Sequence, residues 1–430
     1  MVRKGAERFV AVGKEEFTFH PLKQETIELL CESLPFLRPR ACGLKNSFGF
    51  GDRIGLATEG HIKALREYDF FPVFAQQSVR ELERTGRSLK EVLNSAIVAC
   101  FQEGYSKGFG ADIDHLKDLS HLKAAIKAGF TFFTIDPSDA IREPSKMNDR
   151  EKKSILDRNF RKYEKFYLGR AYRIEKDRFE FTQETLSNLI ITYAEAIDFV
   201  ETCYSLLKER TSPFDFEVSV DESSLPTTPL AHIFIVEELR RRKINFQSLA
   251  LKFPGRFEKA IDYRGDLKEF EESLIIHQKI REQLSPYKIS LHSGSDKFKV
   301  YPIFKNIFGE KFHVKTSGTS WVEAMKVIAD SDFDFFLKIL KLAIEEFEKN
   351  SASYEISASP ESIKWEDVHR EDIEGIFDDP NIRQIIHIGY GSLFSEVNLR
   401  EKFYEILIRN RGRYGRLLER HLSRHLELLS

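Results

Sequence analysis

The chain has 430 residues, of which 66 are basic, 68 acidic and 41 % apolar, with Phe alone filling 37 positions. A net charge of −2 gives no reason to expect nucleic acid or an anionic membrane as partner, and no apolar run approaches the length of a bilayer span. Four scattered cysteines without a C-x-x-C pair, and a charged N-terminus without an apolar signal segment, are those of a cytoplasmic enzyme-sized protein with buried thiols.

In chain order, residues 1–40 read as an N-terminal cap with a short helix over Glu25–Ser33, stopped by Pro35 and Pro39. Ala41–Ser47 reads as a first strand opening into a glycine-rich loop, Phe48–Ala57, and a helix begins near Thr58. Phe71–Gln77 is a second strand, followed by a polar helix to Arg87 and another over Leu89–Gly104. Gly110–Lys117 alternates small or apolar residues with charged ones, which is the period of a strand, and it delivers Asp114, His115 and Lys117 almost together. Helix Leu119–Ala128 and strand Phe130–Asp136 follow. From about 137 to 213 the signals are helical only, and they predict a helical insertion. The strand–helix rhythm then resumes with Phe216–Glu222, Phe246–Lys252, Tyr287–His292 and His313–Ser317.

Eight such units predict an α/β fold, a (β/α)8 barrel of the TIM type over 41–320. An open doubly wound sheet needs a topological switch point, and no dinucleotide fingerprint follows the first strand. Residues 321–430 predict a helical C-terminal extension packed on the barrel.

In such a barrel the carboxyl ends of the strands share one cavity. Those ends carry Lys45, Asn46, Asp52 and Arg53; Gln76 and Gln77; Asp114, His115 and Lys117; Asp136; Glu217, Asp221 and Glu222; Lys252, with Asp262 and Arg264 downstream; His292, Ser293, Ser295, Asp296 and Lys297; and Lys315, Thr316, Ser317 and Thr319. A barrel without catalysis would show such groups at one or two ends, so an enzyme is expected. His115 and His292, each beside carboxylates, are the expected ligands of a divalent metal, Zn, Mn, Co or Ni. Asp114 and Glu222 adjoin that metal, where neighbouring charge tunes a carboxylate for proton transfer. Asp262 reads equally as a ligand or a turn cap, and Asp136 as a site residue or a strand terminator. The Gly49–Gly51, Ser293–Ser295 and Ser317–Thr319 segments read as loops able to hold phosphate or carboxylate, with Arg264, Lys297 and Lys315 as matching charge. His313 opens its strand and belongs to the structural end; His387, in the apolar island Ile385–Gly391, reads as a core histidine. The Arg409–Arg416 cluster reads as an oligomer surface or a solvated face.

Gly51–Thr58 with Gly60-His61, Ala111–His115 and Leu291–Lys297, in that order and spacing, resemble the tagaturonate epimerase family from about residue 40 onward. The resemblance implies interconversion of tagaturonate and fructuronate with a divalent metal, Asp114 as proton acceptor, Glu222 as proton donor, and His115 and His292 as ligands. It implies a third ligand near Asp262, where a histidine is expected and none stands. With Gln77, Lys117, Arg264, Lys297 and Lys315 at the strand ends as substrate contacts, the expected partner is a small uronate, with room for a homo-oligomer. An aldolase, epimerase or isomerase acting on a phosphorylated or neutral ketose is the alternative enzyme, told apart by phosphate dependence or solvent-isotope labelling. A sugar-binding protein without turnover is the non-enzyme alternative.

Overall fold

In the computed structural model, which describes residues 2–4, 7–12, 18–211, 213–284, 286–352 and 354–430, the strand–helix rhythm closes on itself. The barrel strands are β1 (Ser47–Gly51), β2 (Phe71–Ser78), β3 (Gly110–Leu116), β4 (Phe132–Ile135), β5 (Asp215–Ser219), β6 (Ser248–Ala250), β7 (Lys288–Leu291) and β8 (Phe312–Thr316). They run parallel in sequence order round a closed ring, with Asp215 of β5 beside Phe132 of β4 and His313 of β8 beside Ser47 of β1. The expected α/β barrel is therefore the fold.

The outward faces of the strands are apolar and bury under a ring of helices: Ala111 and Ile113 of β3, Phe216 and Val218 of β5, and Ile289 and Leu291 of β7 all belong to one core. The helices start where the sequence offers caps. Ser78, Ser88 and Asn148 each form a capping box with Glu81, Glu91 and Glu151, and Asp118 accepts the Ser120 and His121 amides.

Two expectations are corrected. The first strand is Ser47–Gly51, not Ala41–Ser47, so the glycines expected in a loop lie inside the sheet. Their smallness serves packing: a Cβ at Gly49 would stand 1.9 Å from Oε1 of Gln76, and one at Gly51 would stand 2.5 Å from Cα of Ser317. The insertion is not purely helical either. Between helices Asp149–Tyr167 and Gln183–Arg210 stands an antiparallel hairpin, Ala171–Ile174 with Asp177–Glu180. Its turn places Glu175 at φ 53 without a glycine, so the usual hairpin signal is missing.

At the N-terminus, Val2–Lys4, Glu7–Val12 and Thr18–Pro21 pair as a small antiparallel sheet ahead of helix Gln24–Ser33; residues 1, 5–6 and 13–17 of the expected cap lie outside the described residues. Past β8 the chain is helical. Its last helix, Arg411–Leu429, lies against helix Thr58–Leu65, where Gly60 lets Leu418 approach. Among the described residues no helix is long and apolar enough to cross a membrane.

Candidate active site

Barrel interiors of this type are usually filled by branched apolar residues, but here the inward positions near the carboxyl end are charged. Lys315 of β8 reaches across the lumen, with Nζ 2.7 Å from Asp112 Oδ2, 2.9 Å from Asp114 Oδ1 and 2.8 Å from Glu217 Oε1. The Thr134 hydroxyl accepts from the same ammonium at 2.5 Å and donates to Asp112 Oδ1 at 2.9 Å. Ser248 donates to Glu217 Oε2 at 2.5 Å. Burial opposes every one of these charges, and only their mutual pairing makes the set stable. The ammonium is accordingly held well above its ordinary range despite burial, and Glu217 well below the carboxylate range. Asp112 is the least compensated acid: burial pushes it up to about 7 against the pull of Lys315.

Above this layer stand the two histidines. Successive strand residues normally face opposite sides, yet Asp114 and His115 both point to the cavity. The reason is a register shift between Ile113 and Leu116, with His115 itself at φ 55. His115 Nδ1 lies 3.0 Å from Asp136 Oδ2, which turns Nε2 toward Asp114 Oδ1, 3.7 Å away. His292, just past β7, has Nε2 2.7 Å from Glu217 Oε1 and Nδ1 3.1 Å from Asp221 Oδ1. That Nδ1 is buried without a well-formed hydrogen bond among the described residues. The two rings meet edge to face with centroids 5.0 Å apart. Each imidazole thus has one nitrogen on a buried carboxylate and the other turned to a common point, the arrangement in which histidines hold a metal.

The electrostatics agree. Burial lowers both imidazoles, but Asp114 and Asp136 outweigh it for His115, raised to about 9, and Asp221 and Glu217 do so for His292, raised to about 10. Burial would raise Asp114 and Asp221, yet His115, Lys315 and His292 hold the first below the carboxylate range, and His292 and His115 hold the second there. One ligand atom from each of Asp114, His115 and His292 lies within 4.8 Å of the other two, and the same holds for His115, Asp136 and Glu222. Imidazole nitrogens with carboxylate oxygens fit a divalent cation, and His292 Nδ1 stands beside the Asp221 carboxylate without a well-formed hydrogen bond among the described residues.

A cavity opens over these groups, lined among others by Gln76, Asp114, His115, Glu222, His292 and Lys315. A second adjoins it and shares Arg80, Glu222, Lys259, His292, Ser293 and Tyr354.

Of the residues expected at the site, Asp114, His115, Glu222, His292 and Lys315 come together round this cavity. Lys117 is outside the cavity lining, with Nζ 3.6 Å from Asp136 and 3.3 Å from Asp139. Gln77 is buried beside Gln76, but it is Gln76 that lines the cavity. Three others are engaged elsewhere. Asp262 accepts the Tyr263 amide at 2.7 Å and the Lys299 amide at 3.3 Å, capping a turn, and belongs to none of the groups near enough to share an ion. Lys297 is wholly buried with Nζ donating to the carbonyls of Glu258, Ile261 and Ser295, so its charge ties loops together. Arg264 donates to the Ser357 hydroxyl at 2.6 Å on a half-exposed surface.

A second grouping, Asp296 with His421 and His425, fastens the last helix to the loop after β7. Asp296 already receives Arg383 at 3.2 Å, His421 at 2.6 Å and the Thr319 hydroxyl. Gly318 is covered by His387, whose ring a Cβ there would strike at 1.8 Å, so that segment is no open anion cradle. Arg53 is likewise consumed, by Glu81 at 2.7 Å and the His387 carbonyl at 2.7 Å, with its guanidinium 4.0 Å over Tyr390. Sequence reasoning missed Arg80, Lys259 and Tyr354. All three line the cavity from outside the barrel strands, where no periodicity marks them.

Comparison with known proteins gives a consistent picture. A family model described as tagaturonate epimerase matches residues 3–429. A tagaturonate/fructuronate epimerase from Thermotoga maritima is 46 % identical over 416 residues, 96 % of this chain and 86 % of that protein. A glycerol-bound crystal structure of a fructuronate-tagaturonate epimerase from Cohnella laeviribosi superposes with a TM-score of 0.91 at 34 % identity, covering 98 % of this chain and 88 % of that one. The native structure of the same enzyme gives 0.91 at 33 % identity with the same coverage.

Proposed function

This chain belongs to the tagaturonate epimerase family, and from that premise we propose that it interconverts tagaturonate and fructuronate around a divalent cation held by His115 and His292. Asp114 and Glu222 move the protons. The observation that carries the metal reading is the pair of imidazoles, each fixed through one nitrogen by a buried carboxylate and facing the other across the cavity. Asp262 is spent on backbone amides and offers no third donor, and Asp114 is the acid within reach of both imidazoles. Asp114 is already engaged by Lys315 and is better placed to exchange protons.

The two uronates differ at a carbinol carbon one atom beyond the carbon α to the ketone. Its C–H is not acidified by the carbonyl, so simple enolisation cannot invert it. In a retro-aldol route a base takes the proton from the hydroxyl on that carbon, and the bond to the α carbon breaks. The aldehyde fragment turns, and the bond re-forms on its other face. In a direct route the carbon itself loses a proton on one side and regains one on the other. Both routes need two proton-transfer groups that approach from different sides. Asp114 at the end of β3 and Glu222 in the loop after β5 line the cavity from separate elements. Asp114 is held ionised by its cationic neighbours, in the state that accepts a proton. When bound, the cation supplies Lewis acidity toward the oxygen charge that develops.

The test is joint loss. His115→Ala and His292→Ala should each strip bound metal and epimerisation together; metal content unchanged in both variants would sink the site.

A further inference from the structure

A uronate brings a carboxylate to a cavity already rich in acids, so something in the wall must receive it. Of the cations lining the two cavities, Arg53 is paired with Glu81 at 2.7 Å, Lys252 faces Glu355 at 3.7 Å, and Lys315 is saturated by three carboxylates. Lys259 differs. Its ammonium donates to a neutral partner, the Ser293 hydroxyl, at 2.6 Å, and it lines both cavities. Ser293 directly follows the ligand His292 and stands at φ 50, a conformation that costs energy in a residue with a side chain. Beside it Arg80 lies with its guanidinium 4.3 Å over the Tyr354 ring, also on the wall of both cavities.

We propose that Lys259, with Ser293 and Arg80, receives the substrate carboxylate and is what makes this site select a uronate over an uncharged ketose. The assignment rests on the epimerase reading. It places the carboxylate on the loop after β6, away from the Lys315 layer beneath the histidines. Burial and then Arg80 push the Lys259 ammonium down from its ordinary range, against the opposing pull of Glu222 and Asp221. An anion there also meets a hydroxyl donor.

The experiment compares the parent with Lys259→Met and Lys259→Arg. Lys259→Met should raise KM for fructuronate about thirtyfold or more, the loss of one desolvated charge pair, with kcat at saturation within a few-fold and bound metal unchanged. Lys259→Arg should recover most of the affinity, because it restores charge without restoring shape. Calorimetric binding supplies a readout independent of turnover. Galactonate should bind the parent more tightly than galactitol, its uncharged counterpart, and lose that advantage in Lys259→Met. An unchanged KM with galactonate still preferred in Lys259→Met would overturn the assignment, as would a parent that binds the two polyols alike. A parent that binds galactonate preferentially but never epimerises fructuronate would overturn the epimerase reading instead, leaving Lys259 as an anion site.

Discussion

The two ends of the barrel each bury a lysine and a histidine in the lumen, and they treat them in opposite ways. At the amino end Lys288 donates to the Ser47 hydroxyl at 2.9 Å and lies 3.0 Å from the Cys42 sulfur, while Asp215 receives the amides of Cys42 and Gly43 at 2.6 and 2.8 Å. His313 leans on Ser47 at 2.9 Å, and burial holds its imidazole well below the ordinary value. Thiol, hydroxyl and backbone groups surround these side chains. At the carboxyl end Lys315 faces three carboxylates, and His292 is raised to about 10 because acids outweigh burial. The same residue types are structural where their partners are neutral and reactive where their partners are charged and open onto a cavity.

The sharpest way to break this contrast is at the two acids proposed to transfer protons. Asp114→Asn and Glu222→Gln should leave the fold intact while each lowers kcat by roughly 10²–10⁴. Epimerisation runs both ways at a fixed equilibrium constant, so forward and reverse rates should fall by the same factor, as progress curves from either uronate would show. Near-normal turnover in Glu222→Gln would remove it from the mechanism and leave Asp136 or Glu217 as the next acid to test.

A smaller effect separates the two lysines by stability. Lys315→Met strands Asp112, Asp114 and Glu217 without their counter-charge and should cost about 3–5 kcal/mol in denaturant unfolding. Lys288→Met leaves a hydroxyl and a thiol unpaired and should cost about 1–3 kcal/mol. Equal losses would mean that the charged layer contributes no more than the neutral one.

The smallest effect is in the pH dependence of the metal-free protein. His115 and His292 have folded values raised to about 9 and about 10 from an ordinary 6.5. Their contribution to stability is therefore complete below about 6.5 and is lost as pH rises through about 9 to 10. A ligand imidazole must be neutral, so cation uptake expels those protons and affinity should climb with pH over the same window. Thermal unfolding of stripped protein and cation titrations across pH 6.5 to 10 read both; an apo protein that gains stability through that window would contradict the charged state of the pair.

How much of this was legible in the sequence follows the physics of each element. The barrel was, because strand and helix periods alternate cleanly from Phe71 to Ser317. The first strand was misplaced since Gly49 and Gly51, read as loop residues, are there to let Gln76 and Ser317 approach. The hairpin 171–180 escaped because it is largely solvent-exposed and turns at Glu175 rather than at a glycine. Asp114, His115 and His292 were visible as chemistry at strand ends, yet the twist that turns Asp114 and His115 to one side is a register shift, which has no letter code. The likeness to one family carried the roles of Asp114 and Glu222 as proton acceptor and donor. Asp262 and Arg264 drew attention in the loop after β6, but that loop is irregular, and only its three-dimensional path shows that Lys259 is the residue it presents to the cavity.

Removal and return of the cation test the central claim most directly. Protein stripped by a chelator and exchanged into metal-free buffer should lose epimerisation of fructuronate to tagaturonate. Activity should return on adding Zn²⁺, Mn²⁺, Co²⁺ or Ni²⁺, saturating near one ion per chain, and His115→Ala and His292→Ala should fail to recover at the same ion concentrations. Full turnover by protein shown by elemental analysis to hold no metal would contradict the account.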